Sequence, residues 1–435
     1  VLTAFVRAFR TPDLRKKILF SLAIMALFRV GSVVPTPGVS YQAVNRCLDQ
    51  QQAGSGLYTL IQLFSGGALL RLSIFALGIM PYITASIIVQ LLTVVIPRFE
   101  ALKKEGQSGT SKLTQYTRYL TIGLAILQST GLIALARQPG QLFSGCSEHI
   151  IYQNIGLFGI VVMVITMTAG TGVIMWLGEL ITDRGVGNGM SLLIFTSIAA
   201  GFPTSLWAIR IERGWGLFSL VVGAGLVIVS LVVFVEQCQR RIPVQYAKRM
   251  IGRRMYGGSS TYLPMKVNQA GVIPVIFASS LLYLPSLAVN LANKTNPPAW
   301  STWLQKYLIR GDHPIYMFSY FGLIVFFTYF YVAITFNPTE VADNMKKYGG
   351  FIPGIRAGRP TAEYLDYVLS RITLPGSLYL GSIALIPLVA LGLFHANQNF
   401  PFGGTAILII VGVGLETVKQ IESQLQQRNY EGFLR

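Results

Sequence analysis

Charge is what this chain of 435 residues has least of: Asp, Glu, Lys and Arg make up 12% of it, against about a quarter of an ordinary soluble domain. Acidic groups are the scarcer sign, 17 Asp and Glu against 35 Lys and Arg, for a net charge of +18. So little charge excludes a soluble enzyme. Histidine is confined to His149, His313 and His395, and cysteine to Cys47, Cys146 and Cys238. None stands at a metal-ligand spacing and there is no CxxC, so neither a metal site nor a dithiol centre is expected. A disulfide between Cys47 and Cys146 is open to the chain only if both face an oxidising side, and the sequence does not favour one. P-loop, HExxH and paired catalytic carboxylates are missing as well. No cofactor and no catalytic activity are expected.

What the chain does have is apolar length. It is 52% hydrophobic, with a mean hydropathy of +0.54. The apolar residues come in runs separated by short polar stretches, which gives helices; barrel strands would alternate every second residue. Ten runs approach or reach membrane length: Ile18–Val34, Leu72–Ile96, Tyr119–Leu135, Ile155–Leu180, Gly187–Gly201, Leu217–Val235, Asn268–Leu287, Tyr316–Phe336, Leu374–Phe394 and Gly403–Lys419. The first has a basic flank, but its apolar run is too long for a removable signal and lacks a small-residue cleavage site, so it is read as a span. The expected fold is an all-α polytopic membrane protein of ten transmembrane helices. They form an N-terminal half over residues 18–201 and a C-terminal half over 202–425, with short end segments at 1–17 and 426–435. Two halves of five are compatible with inverted repeats, although no residue-level repeat is visible.

The basic residues orient the chain. An even number of spans puts both termini on one side, and that side collects 26 Lys and Arg; the opposite loops hold eight, and Arg29 sits inside the first span. Positive charge is retained on the cytoplasmic side, so both termini are expected there. Two cytoplasmic loops are too long to be simple connections, 236–267 with "QRRIPVQYAKRMIGRRM" and 337–373 with "KKYGGFIPGIRAGRP". Loops of this length are functional or disordered, and their Tyr, Ile and Pro argue for order. They serve either to enforce topology or to dock a soluble partner.

Four runs share a pattern. Ile79 and Ile83 stand on one helical face that continues to Ser86 and Gln90. Ile276 has Gln269 before it and Ser279 and Ser280 after. Ile409 follows Thr405 and precedes Gly412 and Glu416; Met190 and Ile194 are flanked by Asn188 and Ser197. A lipid-facing stripe would stay apolar, and a packing stripe would favour small residues. Isoleucine at this spacing is common in plain helix packing; it is the recurrence at mid-depth in four segments that suggests a water-filled path with an apolar constriction. Before the second run, "GLYTLIQLFSGGALLRL" is apolar but too short to span, so it is either a re-entrant element or an interfacial helix.

The stretches "FSGGALLRLSIFALGIMPYITASIIVQLL", "WLGELITDRGVGNGMSLLIF", "RRIPVQYAKR", "KVNQAGVIPVIFASSLL", "LIVFFTYFY", "ADNMKKYGGFIPGIRAGRPTAEYL" and "VKQIESQL" resemble, in order and over nearly the whole chain, the bacterial SecY family of channel subunits of the general protein translocase. The resemblance implies two pseudo-symmetric halves that pass unfolded polypeptides through an hourglass pore and release signal sequences sideways. By motif position it places a pore ring on Ile79, Ile83, Met190, Ile194, Ile276 and Ile409. It places a plug on about residues 58–70, including Tyr58, Leu60, Ile61, Phe64, Gly66 and Gly67, and a lateral gate at Thr84, Gln90, Asn268 and Leu284. A docking face for the motor ATPase SecA or the ribosome falls on Arg240, Arg241, Lys248, Arg249, Lys346, Lys347, Arg356 and Arg359. SecE and SecG are the implied membrane partners, unfolded preproteins and signal sequences the substrates, and the bacterial plasma membrane, or a thylakoid, the location. A ten-helix secondary transporter is the competing class, but the ionisable residues lie near helix ends, apart from Arg29, where a transporter would hold them at mid-depth.

Overall fold

The computed structural model describes residues 9–50, 67–69, 71–137, 148–152, 155–246, 249–251, 254–256, 260–291, 298–309, 313–394 and 404–431. Helix α1 (Pro12–Gly31) opens with proline in its first turn and Asp13 near its N-terminus, both favourable where backbone N–H groups lack partners. A short helix α2 (Tyr41–Gln50) follows. Next come α3 (Met80–Val95) and α4 (Pro97–Lys104), bent by 99° at Ile96. Ile96 is extended because Pro97 disfavours helical backbone in the residue before it. Helices α5 (Gln107–Ala136) and α6 (Leu157–Arg184) form a long pair.

Helix α7 runs from Gly189 to Gln237 with a break at Gly214, whose φ of +78° suits glycine. It leads into the antiparallel hairpin β1 (Gln239–Tyr246) and β4 (Ser260–Lys266), which carries the small pair β2 (Arg249–Ile251) and β3 (Arg254–Tyr256) at its tip. Helix α8 (Ile273–Leu291), the short α9 (Ala299–Leu304) with a following π-turn at Gln305–Ile309, α10 (Pro314–Thr335), α11 (Pro338–Lys347), strand β5 (Gly350–Phe351), α12 (Arg359–Phe394) and α13 (Gly404–Glu431) complete the order.

Among the described residues, five helices are long and apolar enough to cross a membrane: α5, α6, Gly214–Gln237 of α7, Pro314–Lys347 and Arg359–Ile386. The bent α3–α4 pair makes a sixth if counted as one span, and Gly189–Pro203 and Ile273–Leu282 are apolar but shorter. The largest core joins α1, α3, α6, α7, α8, α10, α12 and α13 around Phe28, Ile174, Val275, Ile324 and Leu408. A second gathers Val44, Leu72, Ile133, Met163 and Met167.

Several boundaries differ from the sequence reading. The second helix begins at Met80, eight residues later than Leu72. Residues 72–79 are instead turns tied to the end of the first span: Thr36 N–H donates to the Leu72 carbonyl at 3.0 Å and Ile74 N–H to that of Val34 at 3.0 Å. The residues expected to link helices five and six are largely helical, since only Gly214 leaves helical backbone. The two long loops are mostly regular structure. Loop 236–267 is the hairpin; loop 337–373 contributes α11, β5 and the first turns of α12, which starts at Arg359 rather than Leu374. Strand β5 pairs with β1, Gln245 opposite Phe351 and Tyr246 opposite Gly350, so both loops share one sheet of order β4-β1-β5. Ile242, Met265, Ile352, Leu365 and Leu369 bury one core beneath it.

Cys47 is disulfide-bonded and fully buried, which corrects the expectation of a thiol there. Cys238 is free; Cys146 lies outside the described residues.

Candidate functional site

The isoleucines of the repeated stripe fall in one extended apolar core. Ile79 at the N-terminus of α3, Ile83 one turn on, Ile194 of α7, Ile276 of α8 and Ile409 of α13 all belong to the largest core, and none is more than 9% exposed. Four elements distant in sequence thus bring five isoleucines into one apolar cluster. Ile79 is held by its place at the start of α3, where the Ile83 N–H donates to its carbonyl at 3.1 Å. Gly170 of α6 lets the preceding turn approach closely, because a Cβ there would collide with the Ile74 carbonyl.

Met190 stands at the edge of this cluster. Asn188 caps α7 by accepting the Met190 N–H at 3.1 Å, and Gly189 donates its N–H to the Thr182 hydroxyl at 2.9 Å. Gly178 and Gly189 allow α6 and the start of α7 to meet backbone to backbone, and the Met190 thioether fills the place a Gly178 side chain would take. The sixth member of the expected ring is therefore packed on α6.

Buried polar groups lie on both sides of Ile276 along the approach to α8 and α8 itself, and on one side of the isoleucines of α7 and α13, where Asn188 and Glu416 on the other side are exposed. Ser197 and Thr405 are buried, and among the described residues Asn268 Oδ1, Gln269 Oε1 and Ser280 Oγ are buried without a hydrogen-bond partner. Helices α3 and α8 lie against one another. Of the expected gate residues, Thr84 is buried and donates to the Met80 carbonyl at 3.0 Å, and Gln90 is half-buried. Leu284 is on α8, but its side chain falls outside the described residues.

Of the expected plug range 58–70, residues 67–69 are described, with Gly67 at a φ of +85° and Ala68 and Leu69 buried; Tyr58, Leu60, Ile61, Phe64 and Gly66 lie outside the described residues. The basic residues spread over the shared sheet and its neighbours. Arg240 and Arg241 are exposed on β1, Lys346 and Lys347 on the last turn of α11, and Arg356 on the turn before α12. Arg359 is exposed and pairs with Glu363 at 3.0 Å. Arg249 is on β2, and Lys248 lies outside the described residues.

Two polar links escaped the sequence reading. Arg118 of α5 and Glu179 of α6 form a two-pronged ion pair at 2.8 and 2.7 Å, a geometry that fixes orientation as well as distance. Nothing in the spacing of two residues 61 apart signals it. At the root of the hairpin, the Asn268 amide donates to Glu236 Oε1 at 2.6 Å and to the Gly271 carbonyl at 3.1 Å, while Val267 N–H donates to the Cys238 carbonyl at 3.1 Å. This joins the end of α7 to the approach to α8. Glu236→Ala removes an acceptor from a buried amide and is expected to cost about 1–3 kcal/mol, with faster proteolysis between residues 239 and 266. Glu236→Gln, which keeps an acceptor, should lose less in a thermal melt of the detergent-solubilised protein.

The SecY family model matches residues 73–418. A curated relative from Streptomyces scabiei, named protein translocase subunit SecY, is 68% identical over 440 residues, covering 100% of this chain and 100% of its own length. A solved structure described as a protein-conducting channel superposes with a TM-score of 0.64 at 17% identity over 94% of this chain and 91% of that one. Sec61 in a canine ribosome–channel complex from the endoplasmic reticulum superposes at 0.60 and 16% identity, again over 94% and 91%. At such identities these two structures speak to the fold.

Proposed function

The chain belongs to the SecY family, and from that premise we propose how it acts as the protein-conducting subunit of a membrane translocase. The reading as a secondary transporter falls away. The observation that carries the mechanism is the cluster of Ile79, Ile83, Ile194, Ile276 and Ile409, drawn from four elements and flanked by buried polar groups. An unfolded polypeptide offers no fixed side-chain chemistry, so its conduit needs a seal that grips nothing in particular. Pliable apolar side chains supply one, and dewetting of the constriction keeps ions out at rest. Met190 supports the cluster from its margin, its thioether packed against Gly178 of α6. Polar atoms such as Gln269 Oε1 and Ser280 Oγ offer a passing backbone hydrogen bonds on either side of the waist.

In this reading ten spans form two halves with both termini in the cytoplasm of a bacterial plasma membrane. The segment around residues 58–70 plugs the resting pore. Helices α3 and α8 part between Thr84, Gln90, Asn268 and Leu284 to release signal sequences and membrane segments into lipid. SecE and SecG assemble beside the chain. The energy comes from outside, from SecA or the ribosome, seated on the basic sheet face that displays Arg240, Arg241, Lys346, Lys347 and Arg356.

Arg356 tests the scheme. It is exposed on a turn bounded by Gly354 and Gly358, both at positive φ, with its carbonyl accepting the Thr361 hydroxyl at 2.8 Å. Arg356→Glu reverses a charge without touching the core. It is expected to abolish SecA-driven transport of a preprotein into proteoliposomes while the variant inserts and melts as wild type does. Unchanged transport would remove the docking role.

A further inference from the structure

On the side away from the hairpin, where α7 breaks at Gly214, the guanidinium of Arg210 lies between two indoles. Its carbon is 4.2 Å from the ring centroid of Trp207 and 4.2 Å from that of Trp215. Trp215 in turn meets Phe218 edge to face at 5.8 Å. These rings stay open, Trp207 56% exposed and Trp215 65%, and the neighbouring Ile211 is 72% exposed. Large apolar groups displayed this way suit a membrane–water boundary, where indole rings sit at headgroup depth.

A second instance stands on the same side. Trp300 and Trp303 of α9 are exposed, Trp303 packs on Tyr307 at 5.5 Å, and Lys306 Nζ lies 5.3 Å from the Tyr307 centroid. Chain order places both there, since α7 runs from Gly214 down to the hairpin, α8 leaves it, and α9 precedes the return of α10 to the sheet. Four tryptophans and two cations mark this boundary.

Held against both indoles, the Arg210 guanidinium keeps N–H donors in its plane, the fork that matches phosphate oxygens. Among the described residues no ion pair engages it. We propose that Arg210, clamped between Trp207 and Trp215, binds the phosphate of an anionic phospholipid in the adjoining leaflet and pins the break of α7 to the bilayer surface. The site rests on the chain crossing a membrane, not on what it conducts, so its failure would leave the channel reading intact.

The test uses the full chain in phosphatidylcholine nanodiscs containing rising fractions of phosphatidylglycerol brominated in its acyl chains, read by tryptophan quenching. At equal mole fraction, brominated phosphatidylglycerol is expected to quench more than brominated phosphatidylcholine. Arg210→Gln should raise the half-quenching fraction roughly fivefold, the factor one basic side chain contributes at an anionic surface, and Arg210→Lys should fall between. Equal quenching by the two lipids in the wild type would overturn the proposal without recourse to any variant. So would an Arg210→Gln protein that titrates like wild type, or relief of quenching by millimolar inorganic phosphate, which would make the clamp a site for free anions.

Discussion

A reconstituted channel in which Ile83, Ile194, Ile276 and Ile409 are all replaced by Ser or Asn will leak ions at rest. Each of these side chains is at most 9% exposed within one cluster, and burying such a group is worth about 1.5–3 kcal/mol. One substitution is tolerable if neighbours shift inward; four remove the apolar waist. A shift of only about 1.4 kcal/mol in the balance of closed and open states changes their ratio about tenfold, so the summed effect should be large in planar-bilayer conductance. Polar replacement of exposed Leu127, Leu157, Ile165 and Leu226 is the control. Those changes should lower folding yield without adding conductance. A ring variant that inserts, melts normally and conducts no more than wild type would show that these isoleucines line no pore.

The second large effect concerns folding. Gly170 and Gly172 are two residues apart on α6 but face different surroundings. A Cβ on Gly170 would strike the Ile74 carbonyl, whereas one on Gly172 meets nothing within 4 Å. Close approach of backbones is the usual reason for glycine between packed membrane helices. Gly170→Val forces backbone against backbone and should cost about 3 kcal/mol or more, displacing the turn that delivers Ile79. Gly172→Ala should be neutral, or should stabilise by the roughly 0.5–1 kcal/mol that separates alanine from glycine within a helix. Thermal melts of the two purified variants would distinguish them directly, and matching melts would show that the α6 contact with residue 74 is not tight.

The contrast between those glycines also indicates what a sequence reveals. Apolar length, the lack of nucleotide and metal motifs, and the recurrence of isoleucine were all legible, because each is a property of consecutive residues. The convergence of Ile83 with Ile276 and Ile409 was inferred from recurrence and motif position, and the fold brings them into one core. Met190 departed from the isoleucine of the expected ring but was given the same sealing role, since spacing cannot show that Gly178 leaves a hole on the other side for its thioether. The hairpin was partly legible. Ile242 and Val244 are buried while Arg241 and Pro243 between and beside them are exposed, the two-residue period of a strand, but the charge of the segment drew attention to docking instead. The pairing of β1 with β5 and the Arg118–Glu179 bridge left no local mark, because partners so far apart in the chain are chosen by the fold.

That pairing bears on where movement can occur. Helices α7 and α8 are joined through the hairpin, α10 and α12 through α11 and β5, and the register of Gln245 with Phe351 locks the two connections to each other over the core of Ile242, Met265 and Leu365. Helices α7, α8, α10 and α12 thus meet in a single platform. The N-terminal half has no counterpart among the described residues: α3 passes to α5 through the bent α4, and α6 to α7 through the short turn at residues 185–188. A load applied to the platform therefore reaches α7, α8, α10 and α12 together, whereas α3, α5 and α6 contribute no strand to it.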